Sequence, residues 1–213
     1  MNREEFLITI SRLFQPGEVR IVLVGGCSRA GKSTLTRELS SLLNQVQIPN
    51  LVVSLDSWIV SYEKRPMNGG LLDRFEVPAI LQAINALSRG ERVCPPVYDP
   101  VSRRRISERA DSALLLGEGI LLVEGVPALA ISELRNLAKF RVFVEIDEAI
   151  RLNRLRDFYH ITKGLTLDNT EAIIRERELE EVKLINSTSN FADIIVKSDF
   201  SLKISSPFVG CFE

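Results

Sequence analysis

One segment of this chain has its geometry nearly dictated by its residues: Gly26-Cys27-Ser28-Arg29-Ala30-Gly31-Lys32-Ser33, followed by Thr34. Its spacing is G-x-x-x-x-G-K-[ST]. Gly26 and Gly31 let the backbone curl until successive N–H groups converge on one spot. Lys32 brings a mobile positive charge to that spot, and Ser33 a hydroxyl suited to Mg²⁺. A helix starting near Gly31 adds the positive end of its dipole. Such a loop is a cradle for phosphate, so residues 26–34 are the candidate nucleotide-binding residues. The context agrees with the motif. An apolar, β-rich run, Val19 to Val24, precedes it, and Leu35, Leu39, Leu42 and Leu43 follow at helical spacing.

Four further apolar runs read as strands, at 51–55, 119–125, 140–145 and 191–196. Helical spacing marks 6–14, 78–88 and 169–187, and 147–164 reads as a basic helix followed by a turn. Pro16-Gly17 closes the first of these, so 1–17 reads as an N-terminal helix that packs on the core. Residues 57–77, with Pro66 and Gly69-Gly70, read as a long irregular region, and such loops are often functional. Residues 93–105 read as a Pro-punctuated loop, and 199–213 as a C-terminal tail with no legible role.

Nearly continuous apolar strands alternating with helices predict a parallel sheet covered on both faces. The expectation is one α/β domain over 1–213, a three-layer α/β/α fold of the P-loop nucleoside triphosphate hydrolase type. It has a mostly parallel five-stranded sheet and a small helical lid at 148–168. Ligands in such sheets sit outside the carboxyl ends of the strands. Gly26, Asp56 and Glu124 all lie at predicted strand ends, so they share one edge.

Composition excludes other classes. With 27 basic and 28 acidic side chains the net charge is −1, so no global basic field invites nucleic acid. No run of apolar residues is long enough to span a membrane, and Met1-Asn2-Arg3-Glu4-Glu5 does not read as a signal peptide. Cys27, Cys94 and Cys211 show no metal-ligand spacing, and His160 is the one histidine, which argues against a zinc site. A reduced, cytoplasmic protein is expected. Cys27 reads as a small loop residue rather than a redox switch.

Phosphoryl transfer to an alcohol needs held phosphates, a bridging metal, an aimed hydroxyl and a base. Lys32 and the loop supply the first. Asp56, at the mouth of the irregular region, is the candidate base and a candidate metal ligand, and Glu124 with Ser33 completes the metal set. Arg151, Arg154 and Arg156, with Lys163, form a basic cluster that predicts a lid over the transferring phosphate. On a helix 151 and 154 share a face and 156 lies off it. Arg103-Arg104-Arg105 is a second basic cluster, read equally as solvated loop or substrate contact.

Taken together, these elements resemble the uridine kinase / phosphoribulokinase family of P-loop kinases over residues 18–197. Ser54-Leu55-Asp56-Ser57 resembles the family's S-x-D-S-F-Y strand end, and Asp73-Arg74-Phe75-Glu76 its D-A-F-D element. Pro96-Val97-Tyr98-Asp99 resembles its P-x-Y-D loop, Val123-Glu124-Gly125 its E-G strand end, and Arg151 to Asp157 its arginine lid. The resemblance implies ATP, or another nucleoside triphosphate, with Mg²⁺, and a small-molecule hydroxyl as acceptor. It implies Asp56 as general base, Glu124 on the metal, and Asp73, Tyr98, Arg103, Arg154 and Arg156 toward the substrate. It allows a homo-oligomer.

The departures fall in the acceptor pocket. Trp58-Ile59 replaces an aromatic pair, Gly70 stands where a sugar-binding aspartate is expected, and Arg103 replaces a base-recognising histidine. Arg103 points to a more anionic acceptor, such as a phosphorylated sugar. The competing reading is a nucleotide-binding regulatory protein of the same fold; retention of Lys32, Ser33, Asp56 and Glu124 together argues against it. A GTPase switch would need an N-K-x-D motif, which the chain lacks.

Overall fold

The computed structural model describes residues 3–67, 69–100, 102–106, 113–177 and 181–197. The predicted tail at 199–213, with Cys211, lies outside them. The central sheet holds β1 (Val19–Gly25), β2 (Asn50–Ser54), β5 (Gly119–Glu124), β6 (Phe140–Glu145) and β7 (Ile194–Lys197). Their order is β2-β5-β1-β6-β7, and each neighbouring pair is parallel. The sheet is therefore parallel throughout.

The period-2 alternation of a strand sorts these apolar runs onto two faces. Ile21, Leu23, Val53, Leu121, Val123 and Phe143 point to one side, where Ile80, Ile84 and Leu87 of α3 (Val77–Ser88) cover them. Val22, Val24, Ile120, Leu122, Val142 and Val144 point to the other. There they meet Phe6, Leu7 and Ile10 of α1 (Arg3–Ser11), and Leu35, Leu39, Leu42 and Leu43 of α2 (Lys32–Gln45). Both faces of β1 and β5 are thus largely dry, which is why these strands read as unbroken apolar runs.

Elsewhere the structure redraws the predicted boundaries. The loop at 93–105 contains a short antiparallel hairpin, β3 (Val97–Asp99) with β4 (Arg104–Ile106). Its strands are too short to show a period, and tertiary contact fixes it: Arg105 N–H donates to Ser61 Oγ at 2.9 Å, and Tyr62 N–H to Arg103 O at 3.0 Å. A short helix, α4 (Ser132–Leu137), stands in a stretch too brief to show a helical period. The basic helix followed by a turn predicted at 147–164 is α5 (Glu148–Asp157) running into a wide π-type turn at Phe158–Thr162. The helix predicted at 169–187 is two pieces, α6 (Leu167–Arg177) and α7 (Lys183–Ser187). Leu155, Tyr159 and Ile174 pack the turn between α5 and α6 as a small core of their own. Among the described residues no helix is long and apolar enough to cross a membrane.

Candidate active site

Register does the first work of assembly. Val24 and Ser54 both lie opposite Glu124, so the ends of β1, β2 and β5 fall at one level. The phosphate loop leaves that level at Gly26 and re-enters regular structure at Gly31, the left-handed cap (φ 101°) of α2. No side chain caps α2, which leaves its first N–H groups for a ligand. Gly26 is required for two reasons. Its φ is +137°, and a Cβ there would lie 2.5 Å from the Val144 carbonyl oxygen in β6.

Lys32 is nearly buried, and its Nζ donates to Cys27 O across the loop at 2.9 Å. Ser33 Oγ donates to Glu124 Oε1 at 3.0 Å. Glu124 is 5% exposed, and burial pushes its carboxyl above the ordinary carboxylate range. The charge of Asp56 pushes the same way, while Lys32 and hydrogen bonds from Ser54 and Ser33 oppose it. Asp56 follows β2 in a 3₁₀ turn, Leu55–Trp58, whose start is fixed by Asp56 N–H donating to Ser54 Oγ at 3.4 Å. Among the described residues no group of three or more His, Cys, Asp or Glu side chains could hold a metal alone. The oxygens of Ser33, Glu124 and Asp56 are instead a small set of hard donors. Such a set fits Mg²⁺, which keeps several waters and shares its shell with substrate phosphates.

These groups open into a cleft of about 1080 Å³. Nine Lys and Arg side chains line it against five Asp and Glu among the described residues, in a chain of net charge −1. Positive charge is thus concentrated here without a global basic field, which suits a small polyanion. One wall is α5 and the π-type turn. Arg154 lines the cleft and its Nη1 donates to Arg29 O at 3.3 Å; the Arg29 guanidinium lies 3.5 Å over the Phe158 ring. Lys163 Nζ sits 5.3 Å from the same ring. Burial pulls the Lys163 pKa below its ordinary value, with Asp99 opposing that shift and Arg29 adding to it.

Not every predicted site residue reaches the cleft. Arg156 turns away and pairs with Glu171 at 2.6 Å, bracing α5 against α6. Two residues apart on a helix is about 200°, so Arg154 and Arg156 cannot share a wall. Arg151 is 2% exposed and pairs with Glu148 at 2.7 Å. Asp73 accepts the Gly70 N–H at 2.8 Å, closing its own turn. Tyr98 and Arg103 do line the cleft.

Arg65 and Arg74 also line it, and sequence reasoning did not select them. Arg74 sits in the Asp73-Arg74-Phe75-Glu76 element, beside the Asp73 that the family resemblance singles out. A 3₁₀ turn at Leu72–Arg74 sends successive side chains in directions about 120° apart, so Asp73 and Arg74 diverge. Glu181 is a further surprise: it is 3% exposed and accepts the Ser28 N–H at 2.8 Å, bracing the loop from α7's side. Burial, followed by the Glu181 charge, raises the Cys27 thiol to about 11.

A sequence model of the phosphoribulokinase / uridine kinase family matches residues 21–205. The chain belongs to that family. Among curated relatives, the uridine kinase of Borrelia duttonii (strain Ly) is 23% identical over 201 residues, covering 90% of this chain and 94% of the relative. The uridine kinase of Clostridium novyi (strain NT) is 27% identical over 202 residues, covering 88% and 92%. Among solved structures, a candidate fructose transport system kinase from Silicibacter sp. TM1040 superposes with a TM-score of 0.75 at 20% identity, covering 92% of this chain and 99% of that one. That likeness establishes the P-loop kinase fold. Membership of the phosphoribulokinase / uridine kinase family supports a small-molecule kinase.

Proposed function

We propose that this chain is an ATP-dependent kinase that transfers the γ-phosphoryl group to a hydroxyl of a small molecule. One observation carries the reading: Lys32, the Ser33–Glu124 hydrogen bond and Asp56 meet at a single sheet edge beneath the phosphate loop. Residues 26–34 cradle the nucleotide phosphates with backbone N–H groups, and Lys32 leaves Cys27 O to meet the outer phosphates. Ser33, Glu124 and Asp56 would hold Mg²⁺. When bound, the ion neutralises charge on the β- and γ-phosphates.

Asp56 accepts the proton of the acceptor hydroxyl. The hydroxyl oxygen forms a new bond to the γ-phosphorus as the bond from that phosphorus to the β–γ bridging oxygen breaks. The products are a phosphate monoester, ADP and one proton, released from Asp56 to water. Arg154, Arg29 and Lys163 balance charge on the transferring group and exclude water. Tyr98 and Arg103 meet the acceptor. Asp73 and Arg156 take supporting roles, the first in shaping the acceptor loop and the second in holding the lid helices together.

The test is acceptor-dependent ADP release over a panel of nucleosides, pentoses, sugar phosphates and hydroxy acids, for wild type and Asp56→Asn. General-base loss lowers kcat by roughly 10²–10⁴-fold, while nucleotide affinity stays within about threefold. An Asp56→Asn enzyme retaining more than a tenth of wild-type turnover removes Asp56 from the chemistry. Tight nucleotide binding with no acceptor-dependent ADP from wild type establishes the regulatory reading instead.

A further inference from the structure

Given the kinase reading, the wall of the cleft that begins at Asp56 says what kind of acceptor it takes. That wall is built from the described residues of 56–76, where Ile59 bridges Phe75, and from the β3–β4 hairpin, which joins them where Tyr62 N–H meets Arg103 O. Arg65, Arg74 and Arg103 line the cleft from it.

The charges on this wall are sorted. Besides Asp56, which lines the cleft, four carboxylates are described on it, and each has a partner. Glu63 pairs with Arg104 at 3.6 Å, and Glu76 pairs with Arg105. Asp73 closes the turn at Gly70, and Asp99 accepts the Ser102 N–H at 3.0 Å while acting on Lys163. Arg65 and Arg103 are held by neutral groups. Arg65 donates from Nε to Val60 O at 3.0 Å and from Nη2 to Tyr98 Oη at 3.1 Å. The Arg103 guanidinium stacks 3.7 Å over the Tyr62 ring, with Arg65 5.7 Å from the same ring. Arg103 also holds a left-handed backbone, φ 56°, uncommon for a residue with a Cβ.

A guanidinium seated on a carbonyl, a phenol or an aromatic ring is oriented and keeps its full charge. Its planar fork matches the oxygens of a phosphate or a carboxylate. In the kinase reading the phosphate being transferred has the loop, Lys32, Arg29, Arg154 and Lys163, all lining the cleft, to hold it. Arg65 and Arg103 are therefore a second anion site on the acceptor side. An uncharged nucleoside or sugar offers them no counter-charge.

We propose that the acceptor is an anionic alcohol, bearing a phosphate ester or a carboxylate remote from its reacting hydroxyl, and that Arg65 and Arg103 hold that group. The experiment compares matched pairs in the ADP-release assay: ribose 5-phosphate against ribose, other sugar phosphates against their sugars, glycerate against glycerol, with uridine alongside. The charged member of at least one pair is favoured in kcat/KM by 100-fold or more, and the responding pair tells phosphate from carboxylate. In Arg65→Gln and Arg103→Gln the KM of that acceptor rises roughly 10–100-fold, the worth of a charge-assisted hydrogen bond. Arg104→Gln, paired with Glu63 outside the cleft, leaves it within about twofold. Uridine or a neutral sugar turned over as well as any charged acceptor overturns the anionic acceptor and leaves the kinase standing. Nucleotide binding without ADP release from any member of the panel overturns both.

Discussion

Three glycines separate the costs built into the phosphate loop. A Cβ added at Gly117 would meet nothing within 4 Å, and its φ lies outside the left-handed region; Gly17 has open space but φ +77°; Gly26 has φ +137° and a Cβ position 2.5 Å from Val144 O. Gly117→Ala removes only unfolded-chain entropy, so stability holds or rises by about 0.4–1 kcal/mol. Gly17→Ala adds the left-handed penalty, about 1–2 kcal/mol. Gly26→Ala adds a more restricted φ, about 1–3 kcal/mol, and an overlap with backbone that must give by about half an ångström, a further ~1–3 kcal/mol. The carbonyl it strikes belongs to β6, which pairs with β7 at Val144↔Val196, so retreat disturbs the sheet. The sum is ~2–6 kcal/mol, and at ~2–4 °C per kcal/mol for a chain of this size the melting temperature falls by roughly 5–20 °C. Differential scanning calorimetry measures stability, and a fluorescent ATP-analogue titration measures binding. The Gly26 variant also loses at least tenfold in nucleotide affinity, while the Gly17 variant keeps it. A Gly26→Ala melting temperature within about 2 °C of wild type, or equal losses at Gly17 and Gly26, refutes the reasoning.

Glu124→Gln removes a carboxylate that burial holds above its ordinary pKa. A raised folded pKa means stability is fully present below the unfolded pKa and declines as pH rises through the folded one. The melting temperature of the variant therefore gains on wild type from pH 4 toward pH 8, while Mg²⁺-dependent turnover is lost; a gain that shrinks with pH contradicts this. Cys27, its thiol raised to about 11, carries about one part in a thousand thiolate at pH 8, while Cys94 is exposed. Peptide mapping after timed iodoacetamide treatment of the folded protein finds Cys94 alkylated first, and comparable rates at the two sites would remove Cys27's protection.

Local order in the sequence determined the phosphate loop, its flanking strand and helix, and the strand-end positions of Asp56 and Glu124. Each rests on spacing within about a dozen residues: the glycine pattern, the period of the apolar residues and where each run stops. The two dry faces of the sheet were legible for the same reason. Only the tertiary structure decided which side chains share the cleft. Arg154 and Arg156 are two residues apart and part company because α5 has a cleft side and an α6 side. Asp73 and Arg74 are adjacent and diverge because a 3₁₀ turn separates them. Glu181 braces Ser28 from 153 residues away, and Arg105 reaches Ser61 across 44. The sorting of charge on the acceptor wall is of this kind. Which arginine meets a carboxylate and which meets a ring depends on contacts between distant segments, and no periodicity along the chain records them.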